Sequence, residues 1–121
     1  MPKIAVVEDN PDNRLLVSAI LEDSYSVVEY ENGPLALAGL PYASADLVLL
    51  DISLPEMDGI EVLARLRADD RIRRLPVIAL TAHAAVSDRE KFIAAGFDDY
   101  VTKPIVDEGI LLGAIEKLLH P

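Results

Sequence analysis

Four branched apolar residues, Leu47-Val48-Leu49-Leu50, run straight into a carboxylate, Asp51. The loop Ile52-Ser53-Leu54-Pro55-Glu56-Met57-Asp58-Gly59 follows at once. An unbroken apolar run of this length, bounded by turn residues, reads as a strand buried on both faces. Such strands belong to parallel sheets with helices on either side, and these sheets hold their ligands at the carboxyl ends of the strands. The run therefore delivers Asp51 to the edge where chemistry is done, and a buried acid there is costly unless something uses it.

The rest of the chain repeats the pattern. Ile4 to Val7 is a first buried strand ending on Glu8-Asp9-Asn10. Asn10 has the chemistry of an N-cap and Pro11 that of a first helical residue. Leu15, Leu16, Ala19 and Ile20 recur at helical spacing and predict the apolar face of that helix. Ser26 to Tyr30 is a more polar strand, suited to a sheet edge, and Asn32-Gly33-Pro34 turns into a short helix from Leu35 to about Leu40. After the central strand, Asp58 and Glu61 have capping-box spacing ahead of a helix from Ile60 to about Arg67. Val77 to Leu80 is a fourth strand ending on Thr81. Ser87 and Glu90 repeat the capping-box spacing ahead of a helix that stops at Gly96. Asp99 to Thr102 is a short last strand ending on Lys103-Pro104. A final helix carries Ile110, Leu111, Ala114, Ile115, Leu118 and Leu119 on one face. Five strands alternating with five helices predict an α/β, doubly wound parallel sheet covered on both sides. The reading expects one domain over residues 1–121, with no output domain after it.

Composition narrows the function. A chain that is 51% hydrophobic and 26% charged is folded rather than disordered. A net charge of −10 argues against nucleic acid and anionic membrane surfaces, and favours basic or metal-bearing partners. There is no cysteine, hence no disulfide framework or thiolate metal site. Only 5% of residues are aromatic, which leaves no platform for stacking bases. The first apolar run is too short for a signal peptide and no later one approaches a membrane span, so the expectation is a soluble, cytoplasmic protein.

Four strands end on a chemically capable residue: Glu8-Asp9, Asp51, Thr81 and Lys103. With right-handed crossovers, strand ends of one polarity share one edge, so these residues should converge. Two carboxylates about 4 Å apart repel by roughly 4 kcal/mol at an effective dielectric of 20. Glu8, Asp9 and Asp51 together therefore need countercharge. Lys103 supplies one positive charge and a hard dication the rest. Mg2+ fits, because it takes few carboxylates and keeps other positions for water and phosphate oxygens. With a hydroxyl (Thr81) and an ammonium (Lys103) alongside, the set suits a phosphoryl group, with Asp51 as nucleophile.

These residues carry a resemblance. Glu8-Asp9, the run Asp51-x-x-x-Pro55-x-Met57-Asp58-Gly59, Thr81-Ala82 and Lys103-Pro104 stand in the order and spacing of the receiver domains of two-component response regulators. The chain resembles them along its whole length. The stretch Glu8-Asp9-Asn10-Pro11-Asp12-Asn13-Arg14 is similar to the start of stand-alone receivers of the DivK type and of receivers in hybrid kinases. The resemblance implies a flavodoxin-like strand order 2-1-3-4-5. It implies that Asp51 accepts a phosphoryl group from a sensor histidine kinase or a histidine phosphotransfer protein, and that a downstream protein target reads the result. Asp9, Asp51 and the Ser53 carbonyl would ligate Mg2+, with Glu8 acting through bound water. Thr81 and Lys103 would bind phosphoryl oxygens, small Ala82 would leave access, and Tyr100 would be the switch aromatic. The Lys103-Pro104 bond would be cis, and Ser53 and His83 would help set the phosphate lifetime.

Blander readings stand beside these. Tyr100 could simply be an edge-strand aromatic covering a helix, and His83 a solvated loop histidine. Arg65, Arg67, Arg71, Arg73 and Arg74 read as a solvated face near a helix C-terminus, or as a docking patch for an acidic partner. A small haloacid-dehalogenase-like phosphohydrolase would also use an aspartyl-phosphate. Such enzymes need a second aspartate two residues on, where this chain has Ser53.

Overall fold

The computed structural model describes residues 1–82 and 85–120. His83, singled out above, lies outside the described residues. The element order is β1 (Lys3–Val7), α1 (Pro11–Leu21), β2 (Ser26–Tyr30), α2 (Gly33–Ala43), β3 (Leu47–Asp51), α3 (Gly59–Ala68), β4 (Val77–Thr81), α4 (Val86–Ala95), β5 (Asp99–Thr102) and α5 (Glu108–Leu119). The strands form one parallel sheet in the order β2-β1-β3-β4-β5, the order that the resemblance implied.

Alternation along the central strands explains why their sequences are apolar without a break. Ile4, Val6, Leu47, Leu49, Ile78 and Leu80 face one side, where Val17, Ile20 and Leu21 of α1 and Leu111 and Ile115 of α5 cover them. Ala5, Val7, Val48, Leu50, Val77 and Ala79 face the other, under Ala36 and Leu40 of α2, Val62, Leu63 and Leu66 of α3, and Phe92 of α4. All five residues of β3 and of β4 are buried.

Some sequence readings are corrected. In α1 the inward face is Val17, Ile20 and Leu21; Leu15, Leu16 and Ala19 are exposed. The spacing fitted two overlapping faces. The observed rotation packs Val17, Ile20 and Leu21 on the sheet and brings Asn13 and Arg14 back to Glu8. Helix α4 does not begin at a Ser87 cap. It starts at Val86, after Ala85, whose carbonyl accepts from Asp88 and Arg89, so Ser87 already sits within the first turn. Ile110 is exposed, about a hundred degrees round α5 from buried Leu111. Helix α2 runs on through Pro41 to Ala43 instead of ending near Leu40.

Arg65, Arg71, Arg73 and Arg74 are exposed, as the solvated-face reading expects, and Arg67 departs from it. Arg65, Arg67, Arg71 and Arg73 pair with Glu61, Asp98, Asp69 and Asp70 respectively. Arg67 also donates to the carbonyls of Arg73, Leu75 and Gly96, so it ties the segment after α3 to the turn before β5. A cation spent on four such acceptors is a structural clasp.

Gly59 sets where β3 stops. A Cβ at this position would collide with the Asp51 carbonyl oxygen and lie 2.8 Å from the Ile52 Cα. The Gly59 N–H donates to the Ile52 carbonyl at 2.9 Å. The start of α3 is thus laid directly against the chain that carries Asp51, and only glycine permits that approach. Asp58 caps the helix by accepting from the Glu61 N–H at 2.9 Å, as its spacing implied.

Candidate functional site

The ends of β1, β3, β4 and β5 converge as the alternation of elements requires. Asp51, the last residue of β3, is buried, as are Glu8, just past β1, and Thr81 at the end of β4. Asp9 is exposed beside them. Glu8, Asp9 and Asp51 each offer a carboxylate oxygen, and these oxygens all lie within 4.8 Å of one another. That is an open-sided acidic cluster able to hold a metal ion, with two walls in the protein and one in solvent.

Asp51 is held at both oxygens. Oδ1 accepts from the Ser53 N–H at 2.9 Å, and Oδ2 accepts from Lys103 Nζ at 2.9 Å. Lys103 Nζ also lies 3.6 Å from Glu8 Oε2. Its backbone is anchored to the neighbouring strand, where the Lys103 N–H donates to the Thr81 carbonyl at 2.7 Å. The peptide bond between Lys103 and Pro104 is cis, as expected from the resemblance.

One ammonium thus pairs with two of the three clustered carboxylates, and the imbalance appears in Glu8. Burial first, then its contact with the Asp51 carboxylate, pushes the Glu8 carboxyl up to about 7, against the opposing pull of Asn13 and Lys103. Burial alone would lower the Lys103 ammonium, but the hydrogen bond and charge of Asp51, together with those of Glu8, outweigh it and leave it raised. A carboxyl raised on folding favours the folded state below its unfolded value of 4.5, and that contribution is lost as pH rises through about 7. Glu8→Gln should therefore gain on the wild type as pH rises. In chelator-treated protein, its melting temperature relative to wild type should be higher at pH 8 than at pH 5. A difference that stays flat between those pH values would show that Glu8 is not strained by its neighbours.

Tyr100 of β5 is half-buried against the α3/α4 side of the core. Its phenol oxygen accepts from Arg89 Nε at 2.9 Å and Nη2 at 2.7 Å, and the guanidinium carbon stands 5.3 Å from the ring centroid. The ring covers α4, as the plainer of the two sequence readings expects, and its hydroxyl is hydrogen-bonded to Arg89. Ser53 and Ala82 are exposed at the site's mouth.

Reading the sequence missed three supporting residues. Asn13 donates from Nδ2 to Glu8 Oε1 at 2.9 Å, and Arg14 donates from Nη1 to the Glu8 carbonyl at 2.9 Å. The available signal was two polar residues on the stripe of α1 that turns inward. Arg89 had no such signal, because its reach to Tyr100 depends on where α4 begins.

Comparison with known proteins agrees with this geometry. The family model described as the response regulator receiver domain matches residues 4–116. The polar-differentiation response regulator DivK of Brucella anthropi is 42% identical over 107 residues, which is 87% of this chain and 87% of DivK. The sensor protein GacS of Pseudomonas syringae pv. syringae is 42% identical over 108 residues, 86% of this chain but 12% of GacS. The chain thus spans about an eighth of the length of the sensor-kinase relatives it matches. Among solved structures, the receiver domain of the sensor histidine kinase PA1611 of Pseudomonas aeruginosa superposes with a TM-score of 0.89 at 34% identity, covering 99% of this chain and 98% of that one. That structure has a magnesium ion coordinated in its active-site cleft. Chemotaxis protein CheY4 of Vibrio cholerae gives a TM-score of 0.90 at 28% identity, over 98% of this chain and 99% of that one. None of these comparisons supports the phosphohydrolase alternative. The family model covers residues 4–116 and the strand order is shared with the superposed receiver structures, and this chain belongs to the response regulator receiver domains.

Proposed function

We propose that Asp51 accepts a phosphoryl group from a phosphohistidine on a sensor histidine kinase or a histidine phosphotransfer protein. The observation that carries this is the setting of Asp51: a buried carboxylate at a strand end, bonded to Lys103 Nζ at 2.9 Å, with Glu8 and Asp9 oxygens within 4.8 Å. Nothing in the fold requires four charged side chains here, and phosphoryl transfer uses all of them.

An Asp51 oxygen attacks phosphorus, the P–N bond breaks, and its electron pair stays with the imidazole nitrogen, which takes up a proton. Asp9, Asp51 and the Ser53 carbonyl are the groups that would hold Mg2+, with Glu8 beside them, and the acidic donor set suits that hard cation. When bound, Mg2+ supplies charge neutralisation for the phosphoryl oxygens. Lys103 and the Thr81 hydroxyl take phosphoryl oxygens, and hydrolysis by water returns Asp51 and releases phosphate. Ser53, exposed beside Asp51, would tune how long the phosphate lasts, and by the family resemblance so would His83.

The consequence is a change of partner binding or onward transfer of the phosphate. Tyr100 is the switch, turning inward as Thr81 moves toward the phosphoryl group. It borders a groove of about 610 Å³ between β5 and α5, lined also by Val106, Ile110, Gly113 and Lys117. With Val106 and Ile110 exposed there, this face suits a downstream protein. No helix among the described residues is long and apolar enough to cross a membrane.

The test is incubation with Mg2+ and a small phosphodonor. Acid-stable, base-labile phosphate should appear on the protein, and a chelator should prevent it. Equal labelling with the chelator present would remove the metal from the mechanism.

A further inference from the structure

The first turn of α1 lies against the acid cluster and grips Glu8 in two ways. Arg14 Nη1 donates to the Glu8 carbonyl at 2.9 Å and to the Asp9 carbonyl at 3.4 Å. Its Nε pairs with Glu29 Oε1 on β2 at 3.3 Å, and Ser18 Oγ donates to the other Glu29 oxygen at 3.2 Å. The guanidinium is thus braced from a neighbouring strand and fixes the backbone of both acids. Asn13 fixes the side chain, with Nδ2 donating to Glu8 Oε1 at 2.9 Å. The other oxygen, Oε2, is buried without a hydrogen-bond partner and is turned toward Lys103.

This division of the carboxylate has a chemical logic. A lysine or arginine at position 13 would hold Glu8 equally well, but it would cancel the charge that attracts a cation. An amide orients the carboxylate and leaves its charge in place. The helix itself has no use for the residue. Asn10 already accepts from the Asp12 and Asn13 N–H groups as the cap, so the Asn13 side chain is not needed to cap the helix.

We propose that Asn13 is a positioning residue for the metal site: it holds the Glu8 carboxylate so that Oε2 stays turned into the pocket shared with Asp9 and Asp51. This rests on the reading that a divalent cation binds there.

The experiment is calorimetric titration of Mg2+ into wild type, Asn13→Ala and Asn13→Gln, with melting temperatures of the chelator-treated proteins alongside. Asn13→Ala should bind Mg2+ about tenfold more weakly, as losing a group that orients a metal ligand does. Its metal-free melting temperature should fall modestly, since an oxygen of buried Glu8 loses its donor, and Asn13→Gln should recover that loss too. Asn13→Gln, with an amide on a longer arm in a partly exposed position, should recover most of the affinity. Unchanged Mg2+ affinity in Asn13→Ala would overturn the inference, as would a glutamine variant no better than alanine. Failure of the wild type to bind Mg2+ would instead overturn the underlying metal reading.

Discussion

Asp51→Asn should take up no base-labile phosphate under conditions that label the wild type. The substitution keeps the shape of the side chain, and its carbonyl oxygen can still accept from the Ser53 N–H now 2.9 Å from Oδ1. What it loses is a nucleophilic carboxylate oxygen, so the loss should be total rather than partial. It also removes one of three clustered negative charges while leaving Lys103 in place, so Mg2+ affinity should fall without the fold being lost. Labelling of Asp51→Asn to a level near wild type would mean that another residue, with Glu8 and Asp9 the nearest carboxylates, is the acceptor.

Lys103→Ala should separate metal binding from switching. The ammonium stands 2.9 Å from Asp51 Oδ2 and 3.6 Å from Glu8 Oε2, and both carboxylates are buried. Removing one partner of a buried ion pair costs about 3 kcal/mol, because the remaining charge is left uncompensated. Metal-free Lys103→Ala should therefore melt well below wild type. Mg2+ should restore more stability to the variant than it adds to wild type, since the dication fills the missing charge. Mg2+ binding should survive, but the phosphorylation-induced change at Tyr100, followed by its amide and ring resonances, should be lost. Unaltered switching in this variant would show that the lysine has been given the wrong role.

Much of this was legible in the sequence for a definite reason. Strands buried on both faces must be apolar at every position, so β1, β3 and β4 announce themselves, and an acid ending β3 stands out against Leu47–Leu50. Parallel strands joined by right-handed crossovers then bring Glu8, Asp9, Asp51, Thr81 and Lys103 to one edge, whatever their separation in the chain. Helix rotation was less legible. Leu15 and Leu16 match a helical stripe as well as Val17 and Leu21 do, but Val17, Ile20 and Leu21 are the ones packed on the sheet, in the rotation that also brings Asn13 and Arg14 to Glu8. The start of α4 was misread because Ser87 and Glu90 have the right chemistry at a place where the backbone has already turned helical. Arg67 looked like surface charge because its acceptors are carbonyls far along the chain, and backbone acceptors leave no trace in a sequence.

The central claim is that Asp51 itself becomes the acyl phosphate. The most direct measurement is to expose the wild-type protein to Mg2+ and a small phosphodonor, reduce with borohydride, and locate the reduced residue by mass spectrometry of its peptides. Borohydride converts an acyl phosphate on aspartate to homoserine, so the site is marked permanently. The account expects a single marked residue, at Asp51. A mark at Glu8, at Asp9 or on any other residue, or no mark on protein that binds Mg2+, would contradict it.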